Sequence, residues 1–165
     1  RLKQMDERTF VIRGTPTDCV IMGVRHLLID HPPDLVLSGV SHGSNLAEDV
    51  TYSGTVAAAL EGLLLGWPAI AVSAQAIDQA AGQWDGTAYD FRAAAGFAAR
   101  LVPVVCREGF PRRVLLNVNA PGLPPDRIAG ARVCRLGRRI YNDELRRLDR
   151  YAREQVAERE AIASR

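Results

Sequence analysis

Three short apolar runs separated by helix-length segments constrain this chain more than any other feature. They are Asp34 to Ser38, Ala69 to Ser73 and Val114 to Asn119, each of strand length, the first followed at once by Gly39 and the third closed by Ala120-Pro121-Gly122. The first is short and apolar enough to predict a strand buried on both faces, the second reads as another buried strand, and the third as a strand. Between the first two lies an Ala-rich stretch from Ser53 to about Leu65, stopped by Gly66-Trp67-Pro68. Between the second and third, Tyr89 to Val105 has helical composition, with Pro103 expected to shorten or kink its end. Upstream, Thr9 to Arg13 reads as a short strand. A helix then starts with Thr15 as N-cap and Pro16 at its first position, its apolar face formed by Val20, Val24, Leu27 and Leu28. Strands alternating with helices predict an α/β fold with a mostly parallel sheet covered on both sides. Such sheets bind ligands beyond the carboxyl ends of their strands.

That placement draws attention to the segment after the first apolar run. Gly39 to Thr51 is rich in glycine and polar residues, with Gly39, Gly43 and Asn45, and it leads into Ser53-Gly54-Thr55 at the head of the Ala-rich helix. The first turn of a helix has unpaired N–H groups and a positive dipole end, which together suit an anion. Ser53 is placed to cap the helix, Gly54 to let a ligand approach the backbone, and Thr55 to add a second hydroxyl. Asn45 offers an amide donor from the loop, and Asp49 a group to orient it. A phosphate is the expected ligand, although an ordinary capped helix would carry the same residues. The segment is not a P-loop, because no lysine follows in the required form.

Composition removes several classes of function. The formal net charge of +2 and 6% aromatic content give no basis for nucleic-acid binding. No apolar run is long enough for a membrane span. Cys19, Cys106 and Cys134 are far apart, without metal-ligand spacing, and read as small buried side chains in a reducing compartment, hence a cytoplasmic protein. His26 and His31 read as surface residues. His42, inside the key loop, reads either as a solvated histidine or as a general acid. Asp18 is expected to support the start of its helix, and Trp67 and Trp84 to pack. Ile128 to Leu136 is expected to form a further, exposed strand. Arg1 to Arg8 carries no start signal for any element. Residues 144–165 alternate in charge around a thin stripe of Leu145, Leu148, Ala152 and Val156, and predict a charged helical segment beyond a first domain of residues 1–143.

Gly14-Thr15-Pro16-Thr17-Asp18-Cys19-Val20, Ser38-Gly39-Val40-Ser41-His42-Gly43-Ser44-Asn45 and the run Glu48 to Gly62 together resemble the survival protein E (SurE) family of 5′-nucleotidases. Leu116-Asn117-Val118-Asn119-Ala120-Pro121 is similar to a later strand of that family, and Arg138-Arg139-Ile140-Tyr141-Asn142-Asp143 to the segment beyond that strand. The resemblance implies a Rossmann-like three-layer α/β/α sandwich that forms homodimers or homotetramers. It also implies a phosphomonoesterase acting on nucleoside monophosphates and dependent on magnesium or manganese, and it admits 3′-nucleotidase and exopolyphosphatase activity. The family's phosphate-facing roles fall on Asn45, Ser53, Gly54 and Thr55, with Gly43 in the same loop. Asn45, Ser53 and Thr55 are the catalytic candidates.

The chain departs from this pattern in two ways. No Asp-Asp pair occurs in it, whereas the family holds its metal with one near the N-terminus, followed by a serine loop. Ser41 stands where the family has a metal-binding asparagine, and a hydroxyl is shorter and a poorer ligand than an amide carbonyl. The expectation is an internal, N-terminally incomplete piece of such a nucleotidase that binds phosphate weakly and turns over slowly or not at all. The alternative is a non-catalytic nucleotide- or phosphate-binding module.

Overall fold

A computed structural model describes residues 1–77, 88–111 and 113–138. Its centre is β4, Ala69–Ala74, in which all six residues are buried. Alternate side chains of a strand point to opposite faces, so β4 feeds two cores at once. Ile70, Val72 and Ala74 meet Ala94, Ala98 and Val105 of α3, Arg92–Glu108. Ala69 and Ala71 lie on the other face with Val56 and Ala59 of α2, Gly54–Leu64, and with Val20 of α1, Pro16–Met22. Small residues on the central strand let helices approach from both sides. The result is helix, sheet, helix.

The sheet is parallel, in the order β3-β4-β5, with β3 spanning Val36–His42 and β5 spanning Leu116–Ala120. The expected parallel α/β architecture is therefore present. Helix α2 sits close to β3: a Cβ on Gly62 would lie 2.7 Å from Val36 Cβ. Gly39 serves a similar purpose between strands. Its φ is +136°, and a side chain there would run into the backbone carbonyl of Val72. The peptide bond from Gly39 to Val40 is cis.

The start of α1 follows from its sequence. Thr15 Oγ1 accepts from Asp18 N–H at 3.2 Å, and the Asp18 carboxylate accepts from Thr15 N–H at 2.7 Å and from its hydroxyl at 2.8 Å. This is a reciprocal capping box, with Pro16 following the cap. One π-helical turn, Gly23–Leu27, continues α1.

Several expectations are corrected. Arg1 to Arg8 does contain an element: β1, Leu2–Gln4, pairs antiparallel with β2, Phe10–Ile12. Strand β3 is not buried on both faces. Among the described residues it pairs only with β4, and Leu37 is 49% exposed. It also runs on to His42, through part of what reads as loop. Helix α3 continues past Pro103 to Glu108. Ile128 to Leu136 forms no strand, and Val133 and Leu136 are exposed. All three cysteines are free and exposed rather than buried. Trp67 packs against the α2 core as expected. Trp84 and the charged segment 144–165 lie outside the described residues.

Candidate functional site

In the sheet register, Ser41 pairs with Ser73 and Ser73 with Asn119. The odd-numbered residues of β4 face α2, so Ser73 continues the row Ala69, Ala71 on that side. Asn117 and Asn119, two residues apart on β5, share that face. Short polar residues thus replace aliphatic ones near the carboxyl edge of the sheet. Two asparagines inside one parallel strand are unusual, since the residue is depleted in strands.

Their role is visible in the loop above them. Asn45 is buried, at 9% exposure. Its backbone N–H donates to Asn119 Oδ1 at 2.8 Å. Its backbone carbonyl accepts from Asn117 Nδ2 at 2.8 Å and from Asn119 Nδ2 at 3.2 Å. Its side-chain amide donates to the hydroxyl of Ser73, which is fully buried. The expected amide donor is therefore turned into the protein toward Ser73. Gly43 extends the strand pairing by donating its N–H to Ala74 O at 2.9 Å. It then turns the chain with a φ of +91°, in open space.

From Asn45 the chain passes through one 3-10 turn, Ala47–Thr51, to Ser53. Ser53 is the N-cap of α2, its Oγ accepting from Val56 N–H at 3.1 Å. Its backbone carbonyl accepts from Ala57 N–H at 2.9 Å. The N–H groups of Gly54 and Thr55 come before the first intrahelical donor, Ala57, and the Ser53 hydroxyl proton is not used by the cap. Gly54 is exposed, and a Cβ there would meet Pro16 Cγ at 3.2 Å. The glycine thus lets the start of α1 pack beside the start of α2. Loop, strand ends and helix start all open on one edge of the sheet.

His42 ends β3 rather than lying in a loop. Its ring makes edge contacts with Tyr89 at 4.8 Å and Phe91 at 5.0 Å, and those two rings stack at 5.7 Å. Nearby, Asp90 pairs with Arg92 at 2.7 Å, and the guanidinium holds its carboxyl at about 2, below the usual 3.8. Asp18 is also held below its ordinary value, first by Thr15 N–H and then by the Thr15 hydroxyl.

The residues present do not by themselves fit a resident divalent cation. Among the described residues, no three His, Cys, Asp or Glu side chains gather where a metal could sit. Ser41, Asn45, Ser53 and Thr55 offer neutral oxygens, whereas magnesium and manganese favour hard, mostly anionic ones. The arrangement suits an anion better than a cation. Ser73, Asn117 and Asn119 are absent from the candidates named on sequence. The signal that could have found them is the spacing of two asparagines on one face of an otherwise apolar strand.

The family described as Survival protein SurE matches residues 1–143. A 5′-nucleotidase SurE of Azorhizobium caulinodans is 47% identical over 149 residues, covering 90% of this chain and 56% of that protein. The one from Brucella canis is 49% identical over 148 residues, covering 88% and 55%. Among solved structures, the SurE protein from Aquifex aeolicus superposes with a TM-score of 0.75 at 42% identity, covering 87% of this chain and 55% of that one. The chain thus spans about half the length of the curated relatives it matches. With the match extending across both the anion-suited helix start and the asparagine-bearing strand, the chain belongs to the SurE family.

Proposed function

We propose that this chain carries the phosphate-holding part of a phosphomonoesterase that converts nucleoside 5′-monophosphates to nucleoside and phosphate. One observation carries the reading. The Ser53-capped start of α2 opens at the carboxyl edge of a parallel sheet, in a chain whose relatives are named 5′-nucleotidase SurE. There the N–H groups of Gly54 and Thr55 and the hydroxyls of Ser53 and Thr55 bind and orient the phosphoryl oxygens. The positive end of α2 favours their charge by about 0.3–1 kcal/mol at an exposed site, and up to about 2 where partly buried. Because a phosphoryl group in transfer spreads charge over its equatorial oxygens, the same donors act in the transition state. Gly43 and Asn45 form the facing loop. A seat that reads only a terminal phosphate also admits 3′-nucleotides and polyphosphate ends, so these activities belong to the proposal.

Magnesium or manganese enters the resemblance but finds no carboxylate cluster among the described residues. Free, exposed cysteines fit a reducing compartment such as the cytoplasm. Exposed Leu60 and Leu64 on α2 are the kind of surface that a homodimer or homotetramer covers.

The test is phosphate release from nucleoside 5′-monophosphates and p-nitrophenyl phosphate with manganese present. Slow release, stopped by orthovanadate and lost in Ser53→Gly, is the expected result. The metal-poor donor set favours a second reading, a non-catalytic phosphate-binding module. Binding of the same nucleotides without release at saturating manganese would select it.

A further inference from the structure

We infer that Asn119, seconded by Asn117, is a positioning residue for the loop that faces the phosphate seat. The inference rests on the seat proposed above and adds the device that holds its loop in place. An Asn side chain carries one acceptor and two donors on a planar amide, the same groups that a neighbouring strand residue would present. Asn119 uses both ends on one residue: Oδ1 receives Asn45 N–H at 2.8 Å and Nδ2 gives to Asn45 C=O at 3.2 Å. Asn117 adds a second donor to that carbonyl at 2.8 Å. The backbone of Asn45 is thereby paired as though β5 had an extra strand beside it. The loop is fixed from below.

Two observations argue that this clamp is more than packing. Asn117 Oδ1 is buried without a hydrogen-bond partner among the described residues, an arrangement that costs stability and that Leu would avoid. The clamped residue also belongs to the loop that leads, through the 3-10 turn Ala47–Thr51, to the α2 cap. Strand β5 gives up apolar packing at two places to hold one loop residue. Ser73, in register with Asn119, completes the hold by accepting from the Asn45 side chain.

The experiment uses the ¹⁵N-labelled chain with two readouts: amide hydrogen exchange at Asn45 without ligand, and the dissociation constant for inorganic phosphate. In Asn119→Leu, exchange at Asn45 is expected to accelerate, and phosphate binding to weaken, each by at least about tenfold, as the loss of part-buried hydrogen bonds implies. Ile70 and Val72 amides should stay protected. Asn119→Asp keeps the acceptor for Asn45 N–H and should restore its protection without restoring phosphate affinity. If Asn119→Leu exposes the Ile70 and Val72 amides, Asn117→Leu carries the test, with about a threefold effect on both readouts and no loss of melting temperature. Unchanged exchange at Asn45, or faster exchange with unchanged phosphate affinity, overturns the inference. A wild-type chain that binds no phosphate is a failure of the seat, read separately; Asn45 exchange then decides the clamp.

Discussion

In the proposed seat Ser53 would serve two ends with one hydroxyl. Its oxygen caps α2 by accepting from Val56 N–H, which leaves its proton for a ligand. Glycine at an N-cap loses only a few tenths of a kcal/mol, whereas alanine loses about 0.5–2. Ser53→Gly should therefore keep nearly the wild-type melting temperature and lose phosphate affinity. Ser53→Ala should lose both. A calorimetric melt and a phosphate titration of each variant separate the two roles, and equal phosphate affinity in all three proteins would remove the hydroxyl from the site. Acid sensitivity also belongs to this scale. Asp18 and Asp90 both have folded-state values below their ordinary 3.8, Asp90 at about 2. A depressed carboxyl contributes stability above its unfolded value and loses it as pH falls through its folded value. The melting temperature should fall as pH drops from about 4 toward 2, and Asp90→Asn should flatten that slope. An unchanged slope would show that the Arg92 pair does not persist in solution.

Between elements, the contact that sets spacing is α2 on β3. Alanine favours helix over glycine by about 1 kcal/mol, so Gly62→Ala would stabilise an isolated α2. Here the added methyl meets Val36 at 2.7 Å, and overpacking a core costs about 1–3 kcal/mol. Overpacking should win, lowering the melting temperature by roughly 2–4 °C per kcal/mol. Val36→Ala added to Gly62→Ala should recover part of the loss. Additive losses in the double variant would mean the two residues do not touch. This scale also marks how far the sequence could be read. Helix α2, helix α1 and strand β4 were legible because a cap, a proline at N1 or an unbroken apolar run marks each one locally. Helix α3 was legible except for its end, because Pro103 does not stop a helix packed on the sheet through Val105. Strand β1 was not legible, since its exposed residues carry no alternation and its pairing with β2 is a tertiary fact. The exposure of Cys19 was missed because residue type says nothing about which way a helix face turns.

For the molecule as a whole, the parallel sheet and its two helical layers followed from the alternation of apolar runs, and family membership followed from motifs in the right order. The motifs of the candidate segment were legible; the hydrogen bonds that hold Asn45 were not. Asn45 reads in sequence as a donor aimed at a ligand, yet in the fold its side chain turns toward Ser73 while Asn117 and Asn119 hold its backbone. Contacts between residues more than seventy positions apart leave no local trace beyond two asparagines on one strand face. The chain spans about half of its curated relatives, so its own chemistry is tested most cleanly by binding rather than by turnover. The most direct measurement is an amide-resolved NMR titration of the ¹⁵N-labelled chain with inorganic phosphate. Saturable shifts centred on the Gly54 and Thr55 amides, with smaller ones at Gly43 and Asn45, are the expected result. Saturation that leaves Gly54 and Thr55 unmoved, or no shift at any of these amides, would contradict it.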